Sequence, residues 1–160
     1  MMDTKNLKQI GQSLVASGRL PDAIKIFEQI LEREPGDTYS LDMLGFLYYQ
    51  TGQFAEALDR CERSLALGPD SFYGQKGYGL CLVKVGRVEE GLAALRRSIE
   101  LKPDYFDARH DLGVTLLGLG RLDEAREAFE GARAAAPSRS AQIDRALVAL
   151  EKQRKERADK

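Results

Sequence analysis

Apolar residues fall in short stretches at helical spacing along this chain, and the same two residue types interrupt them at the same interval throughout. Gly18, Gly52, Gly86 and Gly120 each follow one apolar-periodic stretch and precede another, within SGRLPDA, TGQFAEA, VGRVEEG and LGRLDEA. Pro35, Pro69, Pro103 and Pro137 then close the second stretch of each pair. A third series, Gly11, Gly45, Gly79 and Gly113, lies inside the first stretch. All three series repeat every 34 residues, a period that identifies a stacked repeat before any local element is assigned.

Each series has a physical reason. Glycine just past a helix end can take positive φ without a Cβ clash, so it turns the chain back on itself. Proline at the start of a second helix, as at Pro21, sacrifices an N–H that has no partner there. Proline beyond the end of a helix stops it. A glycine inside a helix costs about 1 kcal/mol relative to alanine. Four such glycines imply a neighbour packed against bare backbone, with Ala23, Ala57, Gly91 and Ala125 as the expected facing surface. Each period therefore reads as helix, tight turn, helix, short turn.

The pattern resembles the tetratricopeptide repeat. Counted from Thr4, Thr38, Phe72 and Phe106, the eighth position is the Gly11 series. The eleventh is Leu14, Tyr48, Leu82 and Leu116, and the twentieth is Ala23, Ala57, Gly91 and Ala125. The twenty-fourth is Phe27, Cys61, Leu95 and Phe129, and the thirty-second is the proline series. The expected fold is all-α: an α-solenoid of four stacked helix-turn-helix repeats, 4–37, 38–71, 72–105 and 106–137, followed by a capping helix and charged tail over 138–160. Ile143, Ala146, Leu147 and Leu150 keep the spacing of a further first helix, with Leu147 in the glycine position. Some positions depart from the family pattern. Gln75 and Arg109 stand at the usually apolar fourth position, and Arg126 and Arg133 stand where earlier repeats are aliphatic, as if the apolar face faded toward the end of the stack.

Composition narrows the function. With 24 basic and 25 acidic side chains the formal charge is −1, so no global field favours nucleic acid or an acidic membrane surface. No apolar run approaches the ~18–20 residues of a membrane span, and none near the N-terminus suits a signal-peptide core. Cys61 and Cys81 read as small buried side chains rather than a metal pair, which favours a reducing, cytoplasmic setting. His110 is the only histidine, and with Asp107 and Asp111 it reads as a polar helix face rather than a metal site. The glycines of LGLGR follow no strand, so they make no phosphate loop. No catalytic residue, cofactor or metal is expected.

The resemblance implies that the first helices line an inner, concave face through the second, fifth, sixth, ninth and twelfth positions. The residues there include Tyr39, Met43, Phe46, Tyr49, Tyr73, Lys76, Gly77, Leu80, Val83, His110 and Val114. The centre of this set is apolar, with Lys5 and Lys8 toward one end and Asp107 and Asp111 toward the other. Such a surface suits an amphipathic helix or an extended peptide with apolar anchors. The family's clamp for chaperone carboxylate tails maps onto Lys8, Gln12, Met43, Tyr73 and Gly77, and only the first of these is kept. The expected function is an adaptor or scaffold that holds a partner protein or peptide in its groove. The alternative is a self-assembly module whose groove or cap joins copies into a homo-oligomer, and a secretion-type chaperone ranks below both.

Overall fold

A computed structural model describes residues 1–160, which form nine α-helices and no strand. They are α1 (Thr4–Ala16), α2 (Leu20–Arg33), α3 (Thr38–Gln50), α4 (Phe54–Leu67), α5 (Phe72–Lys84), α6 (Val88–Leu101), α7 (Phe106–Gly118), α8 (Leu122–Ala135) and α9 (Ser140–Ala158). A 3-10 turn, Pro137–Arg139, leads into α9. The first eight helices are four helix-turn-helix pairs, and the ninth caps the C-terminal end.

The turn within each pair is the same object four times. Gly18, Gly52, Gly86 and Gly120 have φ of 74°, 79°, 88° and 73°, the left-handed region that glycine enters without strain. The residue after each glycine donates its N–H five residues back: Arg19 to Leu14, Gln53 to Tyr48, Arg87 to Leu82 and Arg121 to Leu116, at 2.8–2.9 Å. This is the Schellman closure, and its acceptor is always the eleventh repeat position. Entry into α1, α3 and α5 is set by side-chain caps. Asp3 accepts from the Asn6 N–H, Asp37 from Ser40 and Ser71 from Gly74.

By its contacts the chain divides into two compact units, 1–91 and 92–160. In the first, Leu7, Ala23, Phe27, Ile30, Leu31, Leu41, Leu44 and Leu47 form one buried cluster across α1, α2 and α3. A smaller cluster, Ala57, Cys61 and Cys81, joins α4 to α5, with Tyr48, Tyr49, Leu58 and Tyr78 around it. The helix-interior glycines are explained by close approach, though chiefly to the twenty-fourth position rather than to the small residues at the twentieth. A Cβ on Gly11 would sit 2.7 Å from Phe27 Cζ, and one on Gly45 would sit 2.8 Å from Cys61 Sγ. In the third pair the facing surface is the one expected, since a Cβ on Gly91 would lie 2.6 Å from the Gly79 carbonyl oxygen. The polar fourth position of that pair also has a local reason, because Gln75 Nε2 donates to the Pro69 carbonyl at 3.1 Å.

In the second unit Phe106, Ala108, Leu112, Leu116, Ala125, Phe129 and Ala132 are buried, and α9 adds Ile143 and Leu150, both fully buried. Here too a ring covers the glycine, with Phe129 Cδ1 2.6 Å from where a Gly113 Cβ would be. Arg109 Nε donates to the Pro103 carbonyl at 2.8 Å, as Gln75 does to Pro69. Arg126 and Arg133 do not mark a fading face. They pair with Glu151 and Asp144 on α9, and Arg154 pairs with Asp123 in return. The change from aliphatic to arginine on α8 is thus the ionic border of the contact with α9. No helix is long and apolar enough to cross a membrane.

Candidate peptide-binding face

The first helices of the pairs carry the residues singled out by register. In the first unit, α3 presents Tyr39 and Phe46 to solvent at 37% and 40% exposure, and α5 presents Tyr73 at 38%. Tyr39 is held in place: its ring edge meets Phe27 with centroids 6.1 Å apart, and Gln12 Nε2 donates to its hydroxyl at 2.7 Å. The Lys8 ammonium lies 5.8 Å from that ring and is bonded to Asp37 at 2.6 Å. Burial alone would raise the Asp37 carboxyl, but hydrogen bonds from Lys8 and Ser40 outweigh it and hold the group below the ordinary range.

Phe46, Tyr49, Tyr73, Lys76, Gly77 and Leu80 come together around one cavity of about 50 Å³. Asp42, at the inward fifth position of its repeat, lines it too, and residues absent from the register set complete the lining: Gly45, Gly74, Cys61 and Cys81. Tyr49 packs edge-on against Phe54 with centroids 5.5 Å apart. Two ammonium groups stand over its aromatic rim, Lys84 at 6.0 Å from the Tyr49 ring and Lys76 at 5.8 Å from the Tyr73 ring. Asp42 Oδ1 accepts from the Ser64 hydroxyl at 2.6 Å. Burial raises the Asp42 carboxyl in spite of that bond. Burial, and then the charge of Asp42, raises the Tyr73 hydroxyl as well.

The two thiols, separate core fillers on the sequence reading, are neighbours in the structure. A hydrogen bond with Cys81, reinforced by burial, pushes the Cys61 thiol well above its ordinary value, so it stays protonated and is a poor nucleophile. Both cysteines are free and buried. Three register residues do not line the cavity. Tyr39 lies against Phe27, Met43 packs on the larger core cluster, and Val83 faces α6, where its Cγ2 is 2.6 Å from the place of a Gly91 Cβ.

In the second unit, Val114 on α7 is 48% exposed, whereas His110 is half-buried. The His110 ring stacks on Phe106 with centroids 5.8 Å apart, and its Nε2 is 3.2 Å from Gln142 Nε2 on α9. Asp107 pairs with Arg139 at 2.8 Å, and the Arg139 guanidinium lies 3.6 Å from the Phe106 ring centre. No group of three or more His, Cys, Asp or Glu side chains gathers anywhere in a metal-binding arrangement.

No curated protein matches the sequence significantly. Among solved structures, TTC0263, a thermophilic tetratricopeptide protein of Thermus thermophilus, superposes with a TM-score of 0.81 at 24% identity, over 92% of this chain and 81% of that one. MamA from AMB-1 is 31% identical over 92% of this chain and 86% of its own, with a TM-score of 0.73. Another MamA structure covers 100% of this chain and 99% of its own at 20% identity and a TM-score of 0.71. The fold is therefore an α-solenoid of the tetratricopeptide kind, a scaffold for protein–protein interaction. The family model for the tetratricopeptide repeat matches residues 14–78 and 82–150, and the chain belongs to that family.

Proposed function

We propose that this protein is an adaptor that holds a partner peptide or amphipathic helix on the faces of its first helices. The observation that carries the reading is the cluster of half-open aromatic side chains Phe46, Tyr49 and Tyr73 around a cavity that the chain leaves unfilled. Exposed apolar surface of this kind is a liability in water unless a partner covers it. Lys76, Gly77 and Leu80 complete this lining and Tyr39 extends the face in the first unit, whereas Met43 and Val83 are taken up by the chain's own packing. Register assigns His110 and Val114 to the face in the second unit. Two adjacent free thiols suit a reducing compartment, so we place the protein in the cytoplasm. We assign it no catalytic role, cofactor or metal.

The test compares partner capture by wild type with the Phe46→Ala/Tyr49→Ala double variant. The double variant should lose the specific partner while its helical circular dichroism is unchanged, and equal capture by both would refute the reading. A self-assembly role is the second reading. It is favoured by α9, where Val148 is 70% exposed beside Leu147 on an open face. Light scattering behind size exclusion separates the two, since concentration-dependent oligomers that a Val148→Glu change dissolves would support self-assembly.

A further inference from the structure

The cavity in the first unit has a template elsewhere in the same chain. At the twenty-fourth repeat position Phe27 and Phe129 lay their rings directly on Gly11 and Gly113. The equivalent place on Gly45 is met by Cys61 Sγ at 2.8 Å, and there the side chain ends. The six-membered ring that Phe27 supplies has no counterpart in the second pair. Its walls have been kept. Tyr39 holds its ring edge against Phe27 at 62°, and Tyr73 lies one period later and lines the cavity. Gly77 adds no side chain: a Cβ there would be 3.6 Å from Cys61 Sγ, an ordinary contact, so packing with Cys61 does not demand glycine. The cavity measures about 50 Å³, several times the ~10–15 Å³ that a single water requires on this measure.

We infer that this cavity is a vacated ring slot, filled by the phenyl group of a phenylalanine on the partner segment, with carboxylates flanking that phenylalanine. The inference rests on the groove reading above and specifies its anchor. The slot suits a phenyl ring because Gly45, Cys61 and Tyr73 line it one period after Gly11, Phe27 and Tyr39, the positions among which the first pair holds its own phenyl ring. The flanking carboxylates follow from Lys76 and Lys84, whose ammonium groups stand over the rim rings. The one acidic group in the lining, Asp42, is turned to the Ser64 hydroxyl. A basic segment would meet like charge at the rim, and an acidic one opposite charge.

The test uses the full chain and two probes: toluene, which is the phenylalanine side chain itself, and a short acidic peptide with one central phenylalanine beside its alanine twin. Toluene should shift the NMR signals of the Leu80 methyls and the Tyr73 ring and raise the melting temperature. Cys61→Phe should abolish both effects, because it restores the side chain that the chain carries at Phe27 and Phe129. Gly77→Leu blocks the same cavity from α5 and serves if Cys61→Phe fails to fold. The phenylalanine peptide should bind at least tenfold more tightly than its twin, with an advantage that vanishes in either variant and shrinks as salt rises. Toluene shifts that persist in the blocked variants, or twins that bind equally, would overturn the slot. If the twins bind equally and Phe46→Ala still weakens both, the slot falls while the groove stands. Tyr73 shifts that grow with protein concentration and no probe would put a second copy of the chain in place of the partner.

Discussion

The α3 and α7 helices carry the same repeat register but end in opposite chemistry. On α3 the second and ninth positions are Tyr39 and Phe46, open to solvent. On α7 the second and fifth are Asp107 and His110, and the chain itself provides for them through Arg139 and Gln142. Both aromatic positions of α3 stay open, whereas on α7 the second and fifth positions are engaged by Arg139 and Gln142 and the ninth, Val114, stays exposed. A repeat backbone is thus a neutral frame, and the side chains at a few positions decide whether a face closes internally or stays available.

The same contrast holds underneath, between slots that own a ring and the slot that does not. Phe129→Ala, which empties a filled slot, should cost about 3–5 kcal/mol in urea unfolding, while Cys61→Ala should cost about 1 kcal/mol. Equal losses would end the distinction between filled and vacated slots. Closure by α9 comes next: Leu150→Ala should destabilise by about 3 kcal/mol, typical for a fully buried leucine. A negligible loss would mean that α9 rests on α8 through its charges alone.

Removing the cap of α3 by Asp37→Ala should cost about 1 kcal/mol. The Asp37 carboxyl is depressed in the folded state, so its contribution is complete above the ordinary carboxylate range and fades as pH falls through the folded value. Asp42 has the opposite sign. Its carboxyl is raised by burial, so ionisation opposes folding above the folded value and Asp42→Asn should raise the melting temperature at neutral pH. Melts of both variants between about pH 3 and 7, the range over which carboxyls titrate, check the pair of signs. The smallest effect expected is for Arg126→Met, below about 1 kcal/mol, because its ion pair is partly exposed.

The repeat, the turns and the helix-interior glycines were legible because each depends on local backbone chemistry recurring at one interval. Contacts that depend on which way a side chain leans were not. Cys61 and Cys81 stand at different repeat positions on different helices, and no spacing rule brings them together. The switch from Phe27 to Cys61 was visible, but it signals a cavity only once Phe27 is seen lying on Gly11. Arg126 and Arg133 looked like loss of an apolar face because their carboxylate partners lie on α9, beyond the last full period. Gln75 and Arg109 gave no sequence hint of the proline carbonyls they reach.

The bend at Gly18, Gly52 and Gly86 has an unusual corollary. A methyl group added there would touch nothing within 4 Å, so crowding does not exclude other residues. What excludes them is the mirror sense of the backbone, worth about 1–2 kcal/mol against an ordinary L-residue. D-alanine, introduced by chemical ligation, suits that torsion and has fewer unfolded conformers to lose than glycine. A chain carrying it at these three bends should melt higher than the natural one, whereas L-alanine at the same sites should melt lower.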